Sequence, residues 1–563
     1  MSVTAIGGAD FDLSRAQASV FGALLHARSR FGGSREILVD GDERKLTYDE
    51  IVRASFALGN ALRNGTRKGD AVGVLLPTGA GAVIAFFALQ AYGRVPAMLN
   101  FTAGARSLLS ACRTAKVKRI VTARRFIELG KLEGLIAELG AEMEIILLED
   151  VRENLSLFDK AAGAIGPFAP WLVRAHPSPE DTGVILFTSG TEGDPKGVVL
   201  SHLNLLANVE QVRAHIVLTQ DDIVFNPLPT FHCFGLTVGA LMPLFLGLRA
   251  IMHPTPLHAR TIVERVRDAK ATILLATDTF MSQYARAGDQ GDLNSVRLAV
   301  CGAERVRDET RQLVRRKYNI EILEGYGVTE AAPVIAANQV GANRPGTVGR
   351  LMAGMRYRLE PVEGIANGGK LIVQGPNVMR GYLRPDAPGE VIPLHDGWHD
   401  TGDIVSVDED GYIAIRGRIR RFAKIGGEMV SLAVVENCAS SLWPDDQHAA
   451  AAIPDGRKGE QIILFTTHQQ ASRDDLLGWA KNHGVTELSV PRRIIPVSAI
   501  PVLGTGKTDY GHVQKLAAAL IIEVASHGGP AEETATALEM RDTLTPQASE
   551  SGGAEGSSGS QSP

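Results

Sequence analysis

A chain of 563 residues is too long for a single hydrophobic core, so two or more domains are expected. With 45% apolar and 21% charged residues the composition is that of an ordinary globular protein. A net charge of −5 argues against a general nucleic-acid binder, which carries a basic surplus.

The N-terminus shows no basic stretch followed by an apolar one, so no signal peptide is expected. Residues 1–40 have mixed helical character. Leu46-Thr-Tyr-Asp-Glu50 opens a helix, with Thr47 as N-cap and Glu50 completing a capping box. Apolar strand-like runs then alternate with amphipathic stretches: 71–76, a helix over 81–92, then 119–122, 145–148 and 272–275. Fully apolar strands separated by helices predict parallel sheets covered on both faces. The most apolar run, Gly235 to Leu248, is too short to span a bilayer and contains Pro243, which predicts a buried helix. Cys112, Cys233, Cys301 and Cys438 form no Cys-x-x-Cys pair and are too few for a disulfide scaffold, which predicts reduced, buried thiols. The expected location is cytoplasmic, with peripheral contact at the inner face of the membrane left open.

After about residue 345 glycine and proline become frequent and the strands shorter, as in a small β-rich subdomain. A basic cluster follows (Arg416, Arg418, Arg420, Arg421 and Lys424), and helix and strand patterns resume from Leu432 to about Val524. The expected division is 1–418 for a large N-terminal domain, 419–525 for a small one, and a Ser- and Gly-rich disordered tail over 526–563.

The strongest chemical signal is Phe187-Thr-Ser-Gly-Thr-Glu-Gly-Asp-Pro-Lys-Gly-Val-Val199. An apolar strand leads into a loop of glycines and hydroxyls with Lys196 near its end, a composition that can close around phosphate oxygens. It does not fit the Gly-x-x-x-x-Gly-Lys-[Ser/Thr] loop. The loop over 188–197 resembles the phosphate loop of the adenylate-forming superfamily, which holds acyl-CoA ligases, peptide-synthetase adenylation domains and luciferases. Four further motifs occur in the superfamily's order: Leu323-Glu-Gly-Tyr-Gly-Val-Thr-Glu330, Gly397-Trp-His-Asp-Thr-Gly-Asp403, Arg416-Gly-Arg418 and Gly504-Thr-Gly-Lys507.

The resemblance implies an α/β adenylate-forming fold, with a large domain of parallel sheets flanked by helices, a β-rich subdomain and a small mobile α+β C-terminal domain. It also implies ATP and Mg²⁺ as cofactors. Thr188, Ser189, Gly190, Thr191, Gly193 and Lys196 would hold phosphate. Gly302, Ala303, Glu304, Glu324, Gly325, Tyr326, Gly327, Thr329 and Ile415 would surround the nucleotide, with Tyr326 stacking on adenine. Asp403 and Arg418 would fix the ribose, while Glu330 and Thr191 would hold the metal, a hard cation that takes oxygen ligands. Lys507 would bridge the attacking carboxylate and the α-phosphate. Catalysis of this step is mainly positioning and charge neutralisation.

Pro227 to Thr237 corresponds to the segment lining the acyl and thiol channel, with His232, Phe234 and Gly235 as channel residues; His232 also fits a satisfied core histidine. No bulky charged residue near Cys301–Glu304 suggests an amino-acid substrate. The hinge would be Arg420, and Lys424 would swing in for thioester formation, so Lys507, Glu330, His232, Thr188 and Lys424 form the expected catalytic set.

Within the superfamily, Phe187–Val199, Asn208–Val212, Phe231–Val238, Arg421–Leu432 and Val490–Arg493 resemble the synthetase portion of bacterial 2-acylglycerophosphoethanolamine acyltransferase/acyl-ACP synthetases. This implies a fatty acid substrate and acyl carrier protein as acyl acceptor, with a fatty acyl-CoA ligase using coenzyme A as the alternative and a non-catalytic binding homologue as a third reading. No His-x-x-x-x-Asp acyltransferase motif precedes residue 170, so reacylation of lysophospholipid is not expected of this chain. The basic cluster at 416–424 fits an acidic carrier, the phosphates of coenzyme A, or a solvated turn.

Overall fold

Short all-apolar runs form the parallel strands of two sheets. In the first, Glu144–Leu147, Arg119–Thr122, Ala71–Val74, Val95–Met98 and Thr182–Thr188 lie parallel in that order. Lys196–Ser201, Gly381–Arg384 and Ala387–Pro393 extend it antiparallel to eight strands. In the nine-stranded second sheet, Glu36–Val39, Arg249–Met252, Ile223–Asn226, Ile273–Ala276, Leu298–Cys301 and Ile322–Gly327 are parallel. Its edges are antiparallel: Lys45–Thr47 on one side, Val334–Ala337 and Arg350–Leu351 on the other. A four-stranded antiparallel sheet (Arg356–Glu360, Gly369–Gln374, His399–Val407, Ile413–Arg418) forms the β-rich part.

This computed structural model describes residues 10–188, 195–363, 365, 367–425, 428–455, 459–502 and 508–526. The chain separates into two compact units, with the boundary between Arg420 and Arg421. The smaller carries a mixed sheet of Phe422–Ile425, Glu428–Ser431, His448–Asp455, Gly459–Thr466 and Arg493–Pro496. Its helices are Leu432–Leu442, Arg473–Asn482 and Tyr510–Ser526. Apart from Ser526, the expected tail lies outside the described residues.

Local sequence accounts for the helices. Thr47 caps Tyr48–Leu62 through a complete capping box with Glu50. Ala80–Ala91 is apolar on every face and is buried along nearly its whole length. The run from Gly235, expected as one buried helix, divides. Phe234–Leu241 winds in wide π turns, then Met242–Leu246 continues as α-helix and stops at Gly247, whose φ of +76° is left-handed. Within these turns Asn226 Nδ2 donates to the Gly235 carbonyl at 3.0 Å, and its side chain fills the space that a Cβ on Gly239 would need. All four cysteines are free and buried. Among the described residues no helix is long and apolar enough to cross a membrane.

Candidate active site

The carboxyl ends of the parallel strands of the second sheet bring most of the sequence-predicted groups together, where open α/β sheets place ligands. Tyr326 stands near the end of Ile322–Gly327, almost fully buried, and donates its hydroxyl to Asp403 Oδ2 at 2.5 Å. Burial, then the adjoining Asp403 carboxylate, pushes the Tyr326 hydroxyl pKa well up. Asp403 and Arg418 face each other on adjacent antiparallel strands, and Arg418 Nε donates to Asp403 Oδ1 at 3.0 Å. One carboxylate is therefore shared between a tyrosine behind it and an arginine that is half exposed. Ile415 lies on the same strand as Arg418, partly exposed.

Four residues after Tyr326, Glu330 sits in a single helical turn, Thr329–Ala331. Its Oε1 accepts the Tyr382 hydroxyl at 2.6 Å. Tyr382 in turn lies under Lys196, whose Nζ is 5.3 Å from the ring centroid, within cation–π range. Thr188 and Lys196 pair directly as the last and first residues of antiparallel strands. Ser189, Gly190, Thr191 and Gly193 lie outside the described residues, as does Lys507. Sequence reasoning missed Tyr382. Its signal is its strand pairing with Val198, two residues from Lys196, which only the three-dimensional register supplies.

Beside this cluster a cavity of about 160 Å³ runs into the large unit. It far exceeds the roughly 10–15 Å³ needed for one water, so it is a binding space rather than a packing defect. Gly302, Ala303, Gly325, Tyr326, Gly327 and Thr329 line its mouth, together with His232, Phe234 and Gly235. Ala303 takes a left-handed φ of +70° in the turn after Leu298–Cys301. The walls descend along Ile273–Thr277, a depth of about 13 Å at ~3.3 Å per strand residue, and along the neighbouring Leu298–Ala303. Among the described residues the lining includes no Asp, Glu, Lys or Arg, and the strand ends away from the mouth contribute Ile273 and Leu298, beside Ile216 and Leu218.

Two glycines shape the mouth. A Cβ on Gly235 would lie 2.3 Å from the Pro229 carbonyl, and one on Gly327 would lie 2.1 Å from the Pro333 carbonyl. The His232 backbone N–H donates to Pro229 at 3.1 Å, and its ring packs 4.7 Å from that of Phe231.

Other predicted residues are placed differently. The Glu324 carboxylate is occupied within the fold: the Val306 N–H donates to it at 3.0 Å and the Arg311 guanidinium pairs with it. Burial pushes this carboxyl pKa up. Glu304 Oε2 accepts from the Thr279 N–H at 3.1 Å. Arg420 ends the large unit, and Lys424 is exposed on Phe422–Ile425 of the small one. Within the basic cluster Arg421 is committed internally: it pairs with Glu436 at 2.5 Å, donates to Ala450 and covers the Tyr510 ring at 3.6 Å.

The oxygen donors fit a small hard cation held by one carboxylate, with phosphates completing its shell. The Tyr382 hydroxyl engages Oε1 of the Glu330 carboxylate. Among the described residues no group of three or more metal-ligating side chains converges.

The fold, with its two parallel-rich sheets, a β-rich part and a small α+β unit, is the adenylate-forming fold. The sequence profile of the AMP-binding enzymes matches residues 25–383, and the chain belongs to that family. It is 29% identical over 493 residues to a feruloyl-CoA synthase of an Amycolatopsis species, covering 84% of this chain and 94% of that protein. To a long-chain-fatty-acid–CoA ligase of Bacillus subtilis it is 28% identical over 492 residues, covering 80% and 86%. The fold matches that of o-succinylbenzoate coenzyme A synthetase from Bacillus subtilis, solved with ATP and a magnesium ion. That match has a TM-score of 0.74 at 20% identity, covering 86% of this chain and 98% of the other.

Proposed function

We propose that this chain joins an apolar monocarboxylic acid, a fatty acid foremost, to coenzyme A through an acyl-adenylate. The observation that carries this reading is the uncharged cavity opening beside the Tyr326–Asp403–Arg418 cluster and Glu330. A carboxylate at the mouth could keep its tail in apolar surroundings while facing the nucleotide-binding groups. A fatty acid is favoured over a hydroxylated aromatic acid such as ferulate, because Ile216, Leu218, Ile273 and Leu298 offer a phenol no side-chain partner at the deep end. Burying such a hydroxyl unpaired would cost about 1–3 kcal/mol.

The reaction uses ATP and Mg²⁺. The acid's carboxylate oxygen bonds to the α-phosphorus as pyrophosphate leaves; a thiol sulfur then bonds to the acyl carbon as AMP leaves. Asp403, held by Tyr326, would accept hydrogen bonds from the ribose hydroxyls, and Tyr326 would offer its ring to adenine. Thr188, Lys196 and the loop between them would hold phosphate oxygens. Glu330, with Thr191, would hold the magnesium ion, which supplies neutralisation of phosphate charge. Lys507 would stabilise the charge that develops at the α-phosphate, Arg420 would be the pivot between half-reactions, and Lys424 would serve the second of them. His232 and Phe234 would border the path of the thiol.

Coenzyme A is preferred to acyl carrier protein because the relatives reported above are named for coenzyme A. Moreover, Arg421, one of the cations expected to receive an acidic carrier, is engaged with Glu436 and Tyr510. The test is a thioester assay with purified enzyme, ATP, Mg²⁺ and labelled octanoate, palmitate or ferulate, offering coenzyme A and holo acyl carrier protein separately. Label from a fatty acid on coenzyme A supports the proposal. Label on the carrier alone would transfer the enzyme to the acyl-ACP branch, and ferulate outpacing both fatty acids would overturn the substrate assignment.

A further inference from the structure

The helix Leu157–Ile165 is mounted with its apolar face outward. Its inward face is small and polar. Asp159 forms a capping box with Ser156 and accepts from Asn60 Nδ2 at 2.7 Å. A Cβ on Gly163 would stand 3.0 Å from Ala57 Cβ and 3.1 Å from the Arg53 carbonyl, so the helix lies close against Tyr48–Leu62. The opposite face carries Leu157, Phe158, Ala161, Ala164 and Ile165, all exposed, and the stripe continues through Phe168 to Trp171 and Leu172. A stripe at this spacing ordinarily marks the buried side of a surface helix; here it faces away from the protein.

The exposures decide the matter: Leu157 82%, Phe158 84%, Ile165 49%, Phe168 74%, Trp171 66% and Leu172 73%. Six large apolar side chains projecting within sixteen residues form a patch of the kind that marks a protein or membrane contact. Two features choose between these. Lys160, Arg53 and Arg152 are exposed beside it against one exposed acid, Glu153, whereas Asp159, Asp49 and Asp150 are engaged with Asn60, Arg28 and Arg124. A two-fold interface between copies of this chain would turn that basic surround upon itself, while an anionic lipid surface would complement it. Phe and Trp with neighbouring cations are also the side chains that settle at the headgroup boundary.

We propose that residues 157–172 form a docking surface for anionic lipid bilayers, inserting Phe158, Phe168 and Trp171 into the interface. The proposal rests on the fatty-acid reading for its purpose, since an acid with an apolar tail partitions into the bilayer from which a docked enzyme would draw it. The surface itself is argued only from exposure and charge.

The experiment is vesicle flotation of the full chain with phosphatidylcholine vesicles and with vesicles of equal parts phosphatidylcholine and phosphatidylglycerol. The wild type should float with the mixed vesicles. The double variant Phe158→Ser/Trp171→Ser should bind them at least about tenfold more weakly, because binding scales with inserted apolar area. Phe158→Leu/Trp171→Phe, which keeps the apolar area, should retain binding, and Lys160→Glu/Arg53→Glu should lose the preference for phosphatidylglycerol. The proposal is overturned if the wild type binds neither vesicle or if the Ser variant binds unchanged. It is also overturned if the wild type is a dimer that the Ser variant dissolves. Octanoate-dependent ATP–pyrophosphate exchange, run in parallel, should be equal in the wild type and the Ser variant. Its absence from the wild type would remove the fatty-acid reading and leave the flotation result standing.

Discussion

Gly235→Ala tests the cavity wall directly. The added methyl would sit 2.3 Å from the Pro229 carbonyl oxygen and 2.8 Å from that of Leu228, where ordinary contact begins near 3.4 Å. Both obstacles are backbone, so no rotamer change relieves them. Either the 227–229 segment or the start of the π-helix must move, and the Asn226 bond to the Gly235 carbonyl resists the second. Overpacking of this kind costs about 1–3 kcal/mol. At roughly 2.1 cal/mol/K per residue, a unit of about 420 residues should lose only about 1–3 °C in Tm. The larger effect should be on the acid: Leu228, Pro229, Phe234 and Val238 all line the cavity, and the same energy lost from binding raises the acid's KM by about 5- to 150-fold. The assay is ATP–pyrophosphate exchange with octanoate varied at saturating ATP, then ATP varied at saturating octanoate. The KM for ATP should move by less than about twofold. A variant with wild-type Tm and wild-type KM for octanoate would refute the packing argument.

Three further outcomes are expected. Asp403→Asn weakens two hydrogen bonds to a charged acceptor; allowing for the exposure of Arg418, kcat/KM for ATP in pyrophosphate exchange should fall about 10- to 100-fold, and an unchanged value would remove Asp403 from nucleotide binding. Ile273→Phe fills the deep end of the cavity and should shift the preferred fatty acid toward shorter chains at similar kcat, whereas an unshifted chain-length profile would place the acyl tail elsewhere. His202 is 2% exposed, its Nδ1 accepts from the Val20 N–H at 3.2 Å, and burial holds its pKa down at about 4 from an ordinary 6.5. The unfolded chain takes up a proton that the folded one resists, so stability is full above pH 6.5 and falls as the pH drops toward 4. This ring alone should account for about 3 kcal/mol; His202→Asn, which keeps an acceptor for Val20, should flatten the slope of Tm against pH, and an undiminished slope would assign it to other groups.

Local chemistry was legible in the sequence wherever neighbours along the chain create it. Thr47 and Glu50 cap each other because they are three residues apart, and the apolar runs became parallel strands because nothing polar interrupts them. Legibility failed where partners come from distant segments. The Leu323–Glu330 motif offers Glu324 and Tyr326 alike as nucleotide contacts; in the fold Arg311 and the Val306 N–H engage the Glu324 carboxylate, while Tyr326 lines the cavity. The basic run at 416–424 reads as one patch in sequence, yet Arg421 pairs with Glu436 and covers Tyr510. The outward stripe at 157–172 is the same failure inverted, because periodicity identifies an apolar face without saying which way it points.

One strand links the two substrates. Gly325, Tyr326 and Gly327 form part of the cavity wall, while the Tyr326 hydroxyl holds the carboxylate proposed to bind ribose. Gly327 allows no side chain against the Pro333 carbonyl, so the strand cannot yield there without shifting the next segment, which carries Val334 into the same wall. An acid that displaced Tyr326 would therefore disturb Asp403, and a nucleotide that fixed Asp403 would fix the mouth of the cavity. Acid and ATP should thus bind with positive coupling, and by reciprocity the factor must be the same whichever is added first. Tyr326→Phe keeps the wall and removes the hydroxyl. It should lower that coupling in equilibrium binding while leaving the affinity for acid alone unchanged, an outcome a purely stacking role for Tyr326 would not produce.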